Sequence, residues 1–341
     1  MTASAHAREA WPGLAIALGV AVAATALSTA MPAFLPLPAM VIALLVGIAL
    51  NPFARREAFQ PGLSLAVKRL LRIAVALLGL RIALGDIIDL GVATALIVIA
   101  SMIVTIASGF ALARLFGQTS AYGALAGAAT AVCGASATLA TATVLPHYKG
   151  KEADVAFVVV AVNALSTVAM VLYPLICRWL GMDDRVTGIM LGATIHDVAQ
   201  VVGAGYAVSE EAGDAAVVVK LFRVFLLLPV VLVIGWIFAS RGAIAGASAA
   251  RVPIPVFALV FLALCFVNSA AGAIPAIAPV YEPIRDLLVA ASGWGLLIAI
   301  AALGLGTSLG AIARLGWRHV ATVTATTLVI LAFATGLLLA L

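Results

Sequence analysis

LGATIHDVAQVVGAG, Leu191 to Gly205, sets His196 and Asp197 side by side within an otherwise apolar stretch. A charge at the centre of a bilayer costs about 2.5–3.5 kcal/mol on insertion scales, so an acid retained there usually has a task. Of the 14 acidic residues, Asp197 is the one expected deepest. Gly188 and Gly192 precede it at GxxxG spacing, and Gly203 and Gly205 follow it. That pattern favours close helix approach on one side and backbone breaks on the other. Read as a helix, the segment places His196 four residues before Gln200, and Thr194, Asp197 and Gln200 at successive steps of three. The polar atoms then gather on one stripe, which in lipid must face protein or water. One reading is interhelical hydrogen bonding; the sharper one is a substrate or coupling-ion site.

Bulk composition puts this segment in a membrane. Of 341 residues, 65% are hydrophobic and 10% charged, with a mean hydropathy of +1.23, whereas soluble domains carry about 25% charged residues. The chain is an integral membrane protein. No polar run is long enough for a separate soluble domain, so residues 1–341 are expected to form one membrane transport domain. Residues 12–34 imitate a secretory signal, with His6 and Arg8 ahead of an apolar run and small residues near Ser28. Because the chain re-enters the membrane afterwards, that run reads as the first span. The pI of about 9.4 does not indicate a nucleic-acid partner, since the bases are scattered between apolar runs, where they set topology. Cys133, Cys177 and Cys265 are odd in number and lie in or beside apolar runs, which favours buried thiols over disulfides. No nucleotide-binding motif is visible, and no cofactor or metal site is expected.

Apolar segments of roughly spanning length, about 20 residues, fall at 12–31, 35–51, 64–84, 91–113, 119–145, 155–177, 186–208, 215–239, 253–272, 286–310 and 319–341. The expected fold is therefore an all-α polytopic membrane protein with about eleven spans. The second is short and bracketed by Pro36, Pro38 and Pro52, the mark of a broken or partial crossing. With a cytoplasmic amino terminus, the inside loops hold Arg55, Arg56, Lys68, Arg69, Arg72, Arg114, Arg178, Arg185, Arg241, Arg251, Arg314 and Arg318. The outside loops then hold chiefly Arg81, Lys149, Lys151 and Arg285, with the acidic Glu210, Glu211 and Asp214. The bias puts the carboxyl terminus outside. A re-entrant segment would invert everything downstream of it.

An internal repeat points to a transporter. Residues 77–91, LLGLRIALGDIIDLG, align without gaps on residues 302–316, ALGLGTSLGAIARLG, matching at Leu78, Gly79, Leu80, Leu84, Gly85, Ile87, Leu90 and Gly91. The copies begin an odd number of spans apart and so cross in opposite directions, as inverted repeats do. The repeat-related segments are 64–113 and 286–341. Arg81, Asp86 and Asp89 face Gly306, Ala311 and Arg314, so the shared positions read as packing.

Thr119 to Leu145 is the second unusual stretch, with 27 uncharged residues. As one helix it would measure about 40 Å, more than the roughly 30 Å of a hydrocarbon core. It must tilt strongly, packing through its alanines, Gly123 and Gly127, or break. The small residues Cys133, Gly134, Ala135 and Ser136 are the natural break, and a helix restarted there aims its amides at an anion. Asn163 lies inside a span and Asn268 near the end of another; each alone is more often an interhelical hydrogen bond than a ligand. Lys220 and Arg223 are three apart on one face, roughly 9–13 Å into their span, and two deep bases suggest an anion unless they snorkel to the interface. His147, Lys149 and Lys151 read as an ordinary loop.

Several segments in order, AMVIALLVGIALNP, LLRIAVALLGLRIALGDI, AATAVCGASAT, LGATIHDVAQVVGAG and VVVKLFRVFLLLPVVL, resemble the YeiH-like family of bacterial inner-membrane proteins, which carry the label of sulfate exporters. CGAS and IHDVAQ are the specific parts. In that resemblance the relatives' carboxylate is often Glu where this chain has the shorter Asp197. The family implies anion transport more strongly than it implies sulfate.

The leading expectation is a secondary transporter of a small inorganic or sulfur-containing anion in the bacterial inner membrane. Cys133, Gly134, Ala135 and Ser136 supply amides, Lys220 and Arg223 neutralise the anion, and Asn163, His196 and Gln200 complete its site. Asp197 and His196, oriented by Thr194, bind a coupling proton, or Asp197 a sodium ion. Moving one charge across 100 mV is worth about 2.3 kcal/mol, so a dianion leaves a negative interior without coupling. Alternatives are an ion-coupled organic anion importer, an anion channel, and a rhomboid-like serine protease pairing Ser136 with His196. Against the protease, Ala199 stands where its histidine motif has Gly. GxxxG pairs allow a homo-oligomer but serve equally within one protomer.

Overall fold

The computed structural model describes residues 3–30, 38–240, 255–274, 277–307 and 316–340, with side chains from Glu9 onward. Among the described residues every regular element is helical. In chain order they are α1 (Ala3–Ala30), α2 (Ala39–Ala54), α3 (Gln60–Leu65), α4 (Leu71–Leu77), α5 (Leu84–Asp89) and α6 (Gly91–Leu115). Then come α7 (Ser120–Ala131), α8 (Ala135–Val144), α9 (Lys151–Trp179), α10 (Asp184–Thr194), α11 (Val198–Val208), α12 (Glu210–Phe225) and α13 (Leu227–Ser240). Last are α14 (Val256–Gly272), α15 (Ala278–Gly306) and α16 (Trp317–Leu339). Among the described residues, six runs are long and apolar enough to cross a membrane: Glu9–Ala30, Gly91–Leu115, Lys151–Trp179, Glu210–Ser240, Ala278–Gly306 and Trp317–Leu339.

The chain divides into two compact units, each assembled from separated stretches. The first comprises residues 1–89 and 256–308. Its helices approach through glycine: Gly13 of α1 lies on Gly62 of α3, and Gly47 of α2 on Gly304 of α15. Asn51 Nδ2 ties α2 to α15 by donating to the Leu305 carbonyl at 2.7 Å. The repeat positions Leu78, Leu80, Leu303 and Leu305 are all buried, in keeping with packing, while much of the second copy, 308–315, lies outside the described residues. Asn268 accepts from the Tyr281 hydroxyl at 3.0 Å, an interhelical bond.

The second unit, residues 90–255 and 309–341, holds two helical hairpins. Hairpin 2 is α10 and α11. Asp183 starts it, its carboxylate accepting from Val186 N–H at 2.7 Å. A Cβ on Gly192 would sit 2.6 Å from the Ala216 carbonyl oxygen of α12, and one on Gly188 would strike that of Ala212. On the returning arm, a Cβ at Gly205 would lie 2.8 Å from Gly213 Cα. Gly188 and Gly205 thus meet the same turn of α12, so α11 doubles back beside α10.

Hairpin 1 is α7 and α8. Thr119 caps α7 by accepting from Tyr122 N–H at 3.1 Å, and Gly123 and Gly127 pack on Gly109 of α6. Its turn needs Gly134, whose φ of +63° is rarely open to other residues. Tyr122, at the outer end of α7, tilts against Phe157 of α9 with centroids 6.1 Å apart. The outer end of α8 comes to the same place: Lys151 Nζ donates to the Leu145 carbonyl at 2.8 Å.

The hairpins enter from opposite ends of the unit. Along α9, Lys151 meets the base of hairpin 1 and Val162 its tip at Gly134. Further on, Ser166 Oγ accepts from Asp197 N–H at the tip of hairpin 2, and Cys177 Sγ reaches Met190, midway along its first arm, at 3.7 Å. The α12–α13 run repeats the order in reverse, from Ala212 at the base of hairpin 2 to Gly235 against Val144 at the base of hairpin 1. Arms of 10–12 residues are about 15–18 Å long, half a hydrocarbon core.

Three expectations change. Residues 119–145 and 186–208 are not crossings, so the count of about eleven does not hold for them: each arm is too short to span and each pair folds back. The polar stripe from Thr194 to Gln200 is not on one helix, because the break falls at Ile195–Asp197 while Gly203 and Gly205 stay helical inside α11. The loop sides also regroup. Lys149 and Lys151 share an end of the unit with Arg114 and Arg318, and Arg178 and Arg185 share the other with Glu210, Glu211 and Asp214.

Candidate functional site: two hairpin tips on one pair of bases

A helix end leaves carbonyls without intrahelical partners, and in a membrane interior each needs one. At the end of α7 those of Thr130, Ala131 and Val132 are free, and at the end of α10 those of Gly192, Ile195 and His196. Two side chains of α12 meet all six. Lys220 Nζ donates to Val132 O at 2.7 Å, Ile195 O at 2.9 Å and His196 O at 2.5 Å. Arg223 donates through Nε to Ala131 O at 2.9 Å, through Nη1 to Gly192 O at 2.8 Å and Ile195 O at 3.0 Å, and through Nη2 to Thr130 O at 2.8 Å. Both side chains are fully buried. Three acceptors around one amine require three N–H donors, so Lys220 is an ammonium. Its positive charge and that of Arg223 face the negative ends of two half-helices. Snorkelling is ruled out by this geometry, and so is a free ammonium reaching for a ligand: every Lys220 donor is committed to backbone.

The opposite poles meet here too. A Cβ at Gly134 would lie 3.8 Å from His196 O, so the tips touch. The α8 amino terminus has no side-chain cap, and there Ala135 is half-buried and Ser136 exposed. Asp197 caps α11, its Oδ1 accepting from Ala199 N–H at 2.8 Å, and is itself half-buried. His196 is buried, with Nε2 2.9 Å from Thr327 Oγ1 of α16. The same hydroxyl lies 2.9 Å from Val323 O, so it ties the imidazole to the backbone of α16. Neither ring nitrogen bonds Ser136, so no serine–histidine dyad is assembled. Gln200 is buried and donates to Asn163 Oδ1 at 3.2 Å and Thr167 Oγ1 at 3.4 Å, leaving its Oε1 without a partner. Thr194 donates back to Met190 O at 2.7 Å and so is committed locally.

The structure therefore gathers the sequence-predicted residues Cys133, Gly134, Ala135, Ser136, Asn163, Thr194, His196, Asp197, Gln200, Lys220 and Arg223 around the two tips. Sequence reasoning missed Ser166, Thr167 and Thr327, which bond Asp197, Gln200 and His196. The Ser-Thr pair inside an otherwise apolar span was the available signal for the first two; Thr327 lies in a run of threonines that marks no single position.

Paired hairpins meeting tip to tip inside a bundle of apolar helices define a polytopic α-helical membrane protein with a polar centre. The chain belongs to the family described as Conserved hypothetical protein 698, whose model matches residues 12–323. It is 43% identical to the UPF0324 membrane protein TauZ of Paracoccus pantotrophus, over 96% of this chain and 94% of that protein. It is 42% identical to a UPF0324 membrane protein of Chlorobaculum tepidum, over 93% and 86%. The UPF0324 inner membrane protein YeiH of Salmonella typhimurium is 31% identical over 93% and 90%, in accord with the resemblance seen in the sequence. No solved structure matches.

Proposed function

We propose that this protein is a secondary transporter that carries a small anion across the bacterial inner membrane, sulfate or a related sulfur oxyanion or sulfonate. The observation that carries the reading is the charge balance at the hairpin tips. Each half-helix end contributes about half a charge, so the two carboxyl-terminal ends and the two amino-terminal ends offset one another. Lys220 and Arg223 against an ionised Asp197 then leave about one positive charge in a water-poor centre. An anion satisfies it. In this reading the uncapped amides after Gly134, with Ser136, hold the anion, and Asn163 and Gln200 orient it. Lys220 and Arg223 act at one remove, by fixing the tips and setting the field. Asp197 is the group that binds a coupling proton or sodium ion, and His196 positions it.

The regrouped loops support an orientation. Arg114, Lys149, Lys151 and Arg318 lie at the base of hairpin 1, with Glu152 and Asp154. The other end holds Arg178 and Arg185 against Asp183, Asp184, Glu210, Glu211 and Asp214. The base of hairpin 1 is then cytoplasmic, and α16 runs outward, leaving the carboxyl terminus outside as the sequence suggested.

The test is flux of radiolabelled sulfate in proteoliposomes at set proton and sodium gradients, with sulfite, thiosulfate, taurine and chloride as competitors. Saturable flux, abolished by Gly134→Val, supports the reading. Flux of another anion in place of sulfate keeps the transporter and removes the substrate; no flux of any of them overturns it.

A further inference from the structure

A titratable cluster away from the tips has no part in that site. At the base of hairpin 1, His319, in the first turn of α16, faces three other segments. Its Nε2 is 3.2 Å from Asp154 Oδ1 of α9, and its Nδ1 is 3.2 Å from Gln118 Nε2, just before α7. The ring stands edge-on to Tyr122 of α7 at 4.8 Å and tilts against Phe157 of α9 at 5.2 Å. The His319 carbonyl accepts from the Tyr122 hydroxyl at 3.0 Å, while Asp154 Oδ2 accepts from Tyr148 Oη, in the turn after α8, at 3.0 Å. The first arm of hairpin 1, the turn that leaves its second arm, α9 and α16 converge on one imidazole and one carboxylate.

We infer that His319 and Asp154 form a proton-operated latch on the base of hairpin 1, held most firmly when His319 is protonated. In the neutral ring, Nε2–H donates to Asp154 and Nδ1 accepts from the Gln118 amide. Protonation adds an N–H at Nδ1, the Gln118 amide turns over to present its oxygen, and the contact with Asp154 becomes an ion pair. The partners stay the same and the strength changes. Histidine is the side chain that commonly changes charge between pH 5 and 8. The other titratable groups facing the pair do not compete. Burial first, and then the Asp154 carboxylate, push the Tyr148 phenol up, so it remains a donor, and Lys151 is held at the Leu145 carbonyl. Arg318 lies over the Trp317 ring at 5.7 Å. The latch tightens as pH falls and loosens as it rises.

Hydrogen–deuterium exchange of the full chain in nanodiscs at pH 5.5 and 8, with labelling times scaled to equal intrinsic exchange, reads the latch directly. Peptides covering 116–124 and 146–157 are expected to exchange roughly two- to fivefold faster at pH 8, the range of a partly exposed ion pair, while a peptide over 183–190 at the other base does not respond. Asp154→Asn and His319→Gln should abolish the difference, and His319→Lys should keep exchange slow at both pH values. Equal exchange at the two pH values in the wild type, or a pH response that survives intact in Asp154→Asn, overturns the inference.

Discussion

Lys220 holds the Val132 carbonyl at 2.7 Å across 88 positions of sequence, and the same ammonium holds the tip of the other hairpin. Lys220→Ala therefore strands the Val132 and His196 carbonyls in a membrane interior, whereas Ile195 O keeps Arg223. The expected cost is about 2–4 kcal/mol, read as a lower denaturation midpoint in detergent. An unchanged midpoint with lost anion flux would instead make Lys220 a ligand.

Asp197→Asn separates capping from charge. Asparagine caps a helix about as well as aspartate, so the midpoint should hold within about 0.5 kcal/mol, while Asp197→Ala loses about 1 kcal/mol. If Asp197 carries the coupling ion, only flux under an imposed gradient changes in the Asn variant. Flux that follows the gradient in both proteins would remove that role.

At Gly134 space and torsion can be told apart. An added Cβ would have only ordinary contact, 3.5 Å from Val162 Cγ2, so Gly134→Ala is costly through φ of +63° alone, by about 1–3 kcal/mol. Val162→Ala as a second change should bring no relief in thermal denaturation; relief would mean the obstacle is steric.

Gly192 and Gly293 make a paired control. A Cβ at Gly192 meets the Ala216 carbonyl oxygen at 2.6 Å and Val219 Cβ at 2.8 Å, while Gly293 has nothing within 4 Å. Gly192→Ala should force α10 from α12 and lower the midpoint. Gly293→Ala, inside α15, should raise stability by about 0.5–1 kcal/mol. The same sign for both in an unfolding titration would sink the packing argument.

The residues of the candidate site were more legible than the path of the chain. Asp197, His196, Lys220 and Gly134 stood out because charge and conformational freedom are rare in apolar runs, and the over-long Thr119–Leu145 segment announced a break by length alone. The fold-back at each break was not legible. A broken helix that continues and one that returns have the same composition and the same number of apolar residues; only contacts tell them apart, those of Gly188 and Gly205 with one turn of α12 in hairpin 2 and those of Tyr122 and Leu145 with the start of α9 in hairpin 1. For the same reason Lys220 and Arg223 looked like anion ligands. Two deep bases signal negative partners, and a sequence does not reveal that those partners are carbonyl dipoles from elements far along the chain.

The long sequence interval between Val132 and Lys220 also fixes an order of events during biosynthesis. The first hairpin leaves the ribosome with its tip carbonyls unmet, and at about 5–20 residues per second the side chain that meets them is made roughly 4–18 s later, 88 residues on. Neither hairpin has arms long enough to be threaded across as a span of its own. Each must therefore wait at its own surface, or in the wet vestibule of the insertion machinery, until α12 arrives. The buried ammonium and guanidinium then complete the two tips in one step, which makes the arrival of α12 the moment at which this unit commits to its fold.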